Sequence, residues 1–304
     1  MSEKAPARRH AIASGEARFG LADWGLTALV AVIWGASFLF IREGVDSFGA
    51  GLVPALRIGF GAAALGLLPA ARRPVARADW PTIVVLGLIW MAVPFLLFSL
   101  AERTVPTAVA GMINGAVPLS SAAVAAIWQR RAPSALRTVA LLTGAAGVTV
   151  IAVAAGHDSG GGDADGVGVA MLLVGVLCYG VSANVALPLQ RRYGALALLV
   201  RVQLVALAAS VPYGIVALRT ATWSWTALAC MVLLGALGTG LAYAASSVLV
   251  GRTDATRGTI GVFLTPIVAT ILGVFVRHEA LPAGALFGAL LVLVGAILTS
   301  RPEP

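Results

Sequence analysis

Long apolar runs and short polar joints alternate from one end of this chain to the other. Runs long enough to cross a hydrocarbon core, about 20 residues each, fall at 22–41, 49–70, 80–101, 107–128, 136–155, 167–189, 194–219, 223–250, 255–276 and 282–300. A repeat of 25 to 30 residues is one spanning helix plus a turn, so the pattern predicts an all-α integral membrane protein with ten transmembrane helices. The third and fourth runs are parted only by a short turn, marked by Glu102, Arg103 and Pro106. The longest polar joint, Gly156–Gly166 (GHDSGGGDADG), reads as a flexible acidic linker at the midpoint. It divides the chain into one five-helix unit at 22–155 and another at 167–300. Residues 1–21 are polar and lack the apolar core and cleavage site of a signal peptide. They are expected to form a disordered cytoplasmic arm, and 301–304 a short tail.

Composition removes the soluble alternative. Hydrophobic residues make up 59% and charged residues 11%, with a mean hydropathy of +0.94. Soluble domains carry roughly 25% charged residues, so there is too little polar surface here for a water-soluble globule. The net charge of +8 would suit nucleic acid, but the basic residues sit in short clusters between apolar runs, and no nucleic-acid partner is expected. The expected partners are the lipid bilayer and a small-molecule substrate, with the chain a monomer or homodimer. Of the 21 basic residues, 15 fall on the side of the N-terminus, while Arg42, Arg103, Arg219 and Arg277 fall opposite. The positive-inside rule then places both termini in the cytoplasm. Cys178 and Cys230 lie within apolar runs without disulfide or metal-ligand spacing, so no metal and no cofactor is expected.

The two units align. Gly87–Pro118 lies on Gly235–Pro266 without gaps at an offset of 148, and Gly147 meets Gly295 at that same offset. Earlier, Gly35 and Ser37 meet Gly180 and Ser182, and Arg57 meets Arg201, at offsets three or four residues smaller. Each unit has five spans, an odd number, so the second must enter the membrane upside down. Inverted repeats place a binding site near the midplane between the halves and support alternating access.

These residues resemble the ten-helix EamA-type branch of the drug/metabolite transporter superfamily. The resemblance rests on Trp34-Gly35 with Ser37-Phe38, on Arg57 after Pro54, and on Pro118. In the second half it rests on Gly238–Tyr243 (GTGLAY), Leu264-Thr265-Pro266, Glu279 and Gly288–Gly295. It covers residues 22 to 300. It implies a basket of helices one to four and six to nine around a central cavity, with helices five and ten peripheral. It further implies export or exchange of amino acids, other metabolites or drugs in a bacterial inner membrane. The acidic position of Glu279 is matched in the first half by Arg131, a departure from the family pattern.

Candidate chemistry centres on Arg57 and Arg201, each well inside an apolar run at matched repeat positions. A buried charge in a span costs about 2.5–3.5 kcal/mol and usually faces a cavity or partner. Either guanidinium could clamp a substrate carboxylate, or instead snorkel or cap carbonyls at broken helices. No carboxylate sits at mid-span, which argues against a multidrug-cation antiporter and for a neutral, zwitterionic or anionic substrate. Trp34, Ser37, Trp90, Asn114, Tyr179, Ser182, Asn184, Gln203 and Tyr243 are the other substrate-binding candidates; Asn114, Asn184 and Gln203 equally suit helix–helix hydrogen bonds. Pro54, Pro94, Pro118 and Pro266 are candidates for helix breaks and gating. His10, His157 and His278 lie in the tail or joints, and neither HExxH nor a nucleotide-binding motif occurs, so no catalytic residue is expected. The reading is a secondary transporter of amino acids or related metabolites, with export as the expected direction. The alternative is an anionic-metabolite exchanger for organic acids, phosphate esters or nucleotide sugars, ahead of multidrug efflux.

Overall fold

A computed structural model describes residues 20–130, 132–158, 163–252 and 260–299. The N-terminal arm, Arg131, the centre of the acidic linker and the tail fall outside the described residues. Among the described residues all regular structure is helical, as a bilayer demands of a chain that must satisfy its own backbone hydrogen bonds. Among the described residues, seven helices are long and apolar enough to cross a membrane. They are α1 (Leu21–Gly66), α2 (Arg77–Ala101), α3 (Thr107–Gln129), α4 (Ala135–Ala155), α5 (Gly166–Tyr193), α6 (Ala195–Ala217) and α7 (Trp225–Ser246). Two shorter apolar helices follow, α8 (Gly261–Arg277) and α9 (Ala283–Thr299). Large apolar side chains such as Val32, Leu142, Ile215 and Phe287 stand on the outer surface, and lipid is the solvent that suits them. The chain is a multi-pass membrane protein. Trp24, Trp80, Trp223 and Trp225 are exposed at or near helix ends, where indole rings suit the interface.

α1 contains two of the expected spans. Gly49 breaks it with φ 75° and ψ 156°, a conformation essentially confined to glycine. The arms at 21–48 and 50–66 pack together there, with Val53 against Gly44. The joint expected at 42–48 is instead helical. Arg42 and Asp46 pair one turn apart at 3.1 Å, while Val45 and Phe48 are buried with Met231 and Leu234. That packing carries the helix past its charges.

Irregular turns recur at matched places. α2 widens into a π turn at Gly87–Ala92 and α7 into one at Leu234–Leu241, segments that the offset of 148 superimposes. Such π turns loosen backbone hydrogen bonding and often mark functional sites. α3 is interrupted after Asn114 and resumes at Val117, with Pro118 in the first turn of the new helix.

Small residues set the closest approaches. A Cβ on Gly235 would lie 2.6 Å from the Arg57 carbonyl oxygen, so α1 and α7 touch backbone to backbone. α4 and α9 form a separate pair: a Cβ on Gly147 would meet the Gly288 carbonyl at 2.6 Å, and one on Gly295 the Ala140 carbonyl at 2.7 Å. Close glycine contacts of this kind are how membrane helices gain packing where apolar burial offers no advantage.

Candidate functional site

A cavity of about 190 Å³ opens between α1, α2, α3, α5, α7 and α8. That is room for several waters or one small metabolite. Seven of its fifteen lining residues are aromatic. Tyr243 stands edge-on to Trp34 at 5.4 Å and to Trp90 at 6.1 Å between centroids. Phe98 links Phe38, at 6.1 Å, to Tyr179, at 5.8 Å.

Arg57 enters this box from the second arm of α1. Its Cζ lies 3.8 Å from the centroid of Phe95, and its Nε donates to Thr239 Oγ1 at 2.9 Å. The residue is 8% exposed, and no carboxylate pairs with it among the described residues. Ring faces and one hydroxyl offset only part of the cost of desolvating a guanidinium. Nη1 and Nη2 have no hydrogen-bond partner among the described residues, and neither does the Asn114 carboxamide or the Tyr179 hydroxyl. All three residues line the cavity. The arrangement offers a forked cation, an amide and a phenol to whatever enters.

The π turn of α7 supplies the frame. Trp34 Nε1 donates to the Gly238 carbonyl at 3.0 Å, and Gln203 Nε2 to the Thr239 carbonyl at 2.8 Å. Ser37 and Thr265 face the cavity but return their hydroxyl protons to carbonyls one turn back, Ile33 and Gly261.

Of the residues named from the sequence, Trp34, Ser37, Arg57, Trp90, Asn114, Tyr179 and Tyr243 line the cavity, while Ser182, Asn184, Arg201 and Gln203 do not. Ser182 donates to Cys178 within its own helix. Asn184 binds Ser121 of α3 and Gly180. Gln203 is fully buried behind Thr239. Arg201 donates to the carbonyls of Ala71 at 3.1 Å, Ala197 at 2.7 Å and Arg73 at 2.5 Å. Its guanidinium therefore holds the segment after α1 in place, the capping alternative, and its match to Arg57 is one of position alone. Pro54, Pro94, Pro118 and Pro266 are not among the lining residues, and Pro118 stands just past the α3 interruption.

Phe38, Phe95, Phe98 and Thr265 also line the cavity; none is marked by sequence as a substrate-binding candidate, Phe38 and Thr265 figuring only among the residues of the family resemblance. The repeat offsets contain the missing signal. Trp34 and Tyr179, Phe38 and Ala183, Phe95 and Tyr243, Asn114 and Val262, and Val117 and Thr265 are aligned pairs, and both members of every pair line the cavity. Glu279 is explained by structure alone. Its carboxylate accepts the backbone N–H groups of Thr107 at 2.8 Å and Ala108 at 2.9 Å, capping α3. Among the described residues, no cluster of three or more His, Cys, Asp or Glu could hold a metal ion.

The model of the EamA-like transporter family matches residues 24–153 and again 166–301. A protein of Streptantibioticus cattleyicolor named "Probable terminal-alkyne amino-acid exporter" is 28% identical over 289 residues, covering 92% of this chain and 93% of that one. An "Uncharacterized transporter" of Archaeoglobus fulgidus is 20% identical over 278 residues, covering 91% and 98%. A protein of known crystal structure superimposes with a TM-score of 0.59 at 18% identity, covering 91% of this chain and 96% of its own. That last likeness concerns the fold.

Proposed function

The chain belongs to the EamA-like transporter family, and from that premise we propose a secondary carrier of amino acids or related small metabolites, working by alternating access. Counting the two arms of α1 separately, with α8 and α9, gives ten spans in two five-helix halves. The recurrence of the π turn and the pairing of aligned residues around one cavity support a pseudo-twofold axis through the site. Five spans per half make the second half the inverted copy. In this reading the membrane is a bacterial inner membrane; basic residues concentrated on the side of the N-terminus support both termini in the cytoplasm, and the named relative supports export.

One observation carries the substrate reading: a buried Arg57 whose outer nitrogens face an aromatic-walled cavity without a protein counter-anion. A carboxylate supplies that missing partner with bidentate geometry. The aromatic faces suit an apolar side chain and, at their centres, an α-ammonium. A dianion would want a second cation, and Arg201 is engaged with three carbonyls; this favours the zwitterion over the organic-anion exchanger. A lipophilic cation would meet Arg57 as a like charge.

The test is counterflow into liposomes containing the purified protein, against a panel of amino acids, sugars and organic anions. Neutral amino acids are expected to exchange, and Arg57→Gln to abolish that exchange. Ion currents without counterflow would overturn the carrier. Exchange of an amino acid unaffected by Arg57→Gln would overturn the clamp.

A further inference from the structure

Glu102 is the first residue beyond α2, one helical turn past the cavity residue Phe98. It is fully buried, and neither of its carboxyl oxygens has a hydrogen-bond partner. An ionised carboxylate in that position would carry an uncompensated desolvation cost. Burial holds this carboxyl well above the usual carboxylate range, and Glu279 and Asp46 push the same way, against Arg42 and Arg57. These four are the charged groups that act on it.

A lattice of charges stands over Glu102 at the Gly49 end of the bundle. Arg42 pairs with Asp46 at 3.1 Å, and Arg277 pairs with Asp46 at 3.0 Å and with Glu43 at 3.7 Å. Arg42 also donates through Nη1 to the Glu102 backbone carbonyl, not to its carboxylate. The pairs join the first arm of α1 to the end of α8, one helix from each half, and their side chains are a quarter to two-fifths exposed. The nearest guanidinium is therefore committed to Asp46 while this end is shut.

We propose that Glu102 is a proton-binding site tied to this closure: neutral while the Arg42–Asp46–Arg277 lattice is intact, and ionised when the lattice parts. Parting admits water and frees Arg42, so the proton leaves to the solvent on that side and the carboxylate pairs with the released guanidinium. The closed shape binds the extra proton, so falling pH favours closure and rising pH favours opening. Because the same carboxyl acts on Arg57, its neutral state leaves the cavity cation to the substrate. The inference rests on the carrier reading and adds to it a pH-dependent bias between its two shapes, the proton returning from the same solvent when this end closes again.

Infrared difference spectra of the full chain in lipid, recorded across a pH titration, address the proton site without any substrate. A protonated-carboxyl band persisting at neutral pH, lost in Glu102→Gln and retained at an altered position in Glu102→Asp, is expected. No difference between wild type and Glu102→Gln would overturn the site. Liposomes loaded with L-leucine, L-phenylalanine or L-alanine address the closure. The counterflow rate is expected to change with pH in the wild type and in Glu102→Asp, and Glu102→Gln should lose that dependence. Counterflow with no response to pH in the wild type would overturn the link to closure and leave the carrier standing. Absence of counterflow with all three amino acids would count against the carrier, with the infrared result still deciding the proton site.

Discussion

Arg57 and Thr239 meet at the wall of the cavity with a fixed polarity. The threonine hydroxyl gives its single proton to the Leu234 carbonyl at 3.2 Å, which leaves its lone pairs to accept from Arg57 Nε at 2.9 Å. The five-residue reach from 239 back to 234 belongs to the π turn. The distortion of α7 thus becomes the anchor of a charge carried by α1.

Thr239→Val keeps the shape and removes that acceptor. A hydrogen bond to a charged group is worth about 1.5–3 kcal/mol, so apparent substrate affinity in counterflow should weaken roughly tenfold or more. Thr239→Ser, which keeps the hydroxyl, should stay near the wild type. Equal affinity in Thr239→Val and wild type would show that Arg57 needs no anchor.

Arg201 makes the contrasting case. Arg201→Gln strips donors from the carbonyls of Ala71, Arg73 and Ala197, at a cost of about 1–3 kcal/mol for the groups left unpaired. The thermal midpoint in detergent should fall while the KM for counterflow holds. A raised KM with an unchanged midpoint would return Arg201 to the site.

Spans and small-residue seams were legible because period and composition determine them: a run of about 20 apolar residues needs no tertiary context to be recognised. Half of the cavity was legible too, through mid-span Trp, Tyr, Asn and Arg. What escaped was direction. Arg57 and Arg201 hold aligned positions and similar depths, and only the neighbouring carbonyls at 71 and 73 separate a cavity cation from a cap. Phe38 and Phe95 look like ordinary lipid-facing or core residues until the repeat pairs them with cavity positions, and Phe98 has no such pair. The helical joint at 42–48 was hidden because its charges are satisfied along the helix rather than by solvent. Glu102 shows the same limit, since a turn residue in sequence can still be sealed from water in space.

Gly49 tests the break in α1. A Cβ there would touch nothing within 4 Å, but φ is 75°. Gly49→Ala should therefore destabilise through backbone strain alone, by about 1–3 kcal/mol. Thermal unfolding in detergent reads the effect. An unchanged midpoint would mean that the connection between the arms can adopt another course.

Glu279 caps, from just beyond α8, the helix that delivers Asn114 to the cavity. Its oxygens take the N–H groups of Thr107 and Ala108, and the helix they begin ends at Asn114. His278 makes this reach with a left-handed φ of 54°, and the Glu279 N–H returns to the Gly273 carbonyl at 3.0 Å. Glu279→Ala leaves two buried donors unpaired and removes a negative charge from a helix start, a loss of about 1–3 kcal/mol. Gly273→Ala should imitate it with the acid still in the sequence, because a Cβ at 273 would lie 2.5 Å from Glu279 Oε2 and 2.9 Å from the Ala108 Cβ and push the carboxylate off its cap. Both variants should lower the thermal midpoint together and weaken counterflow affinity in step, since Asn114 moves with its helix. Combining them should add little to either alone, as expected when two changes break one contact. Fully additive losses would show that Gly273 and Glu279 stabilise the bundle separately.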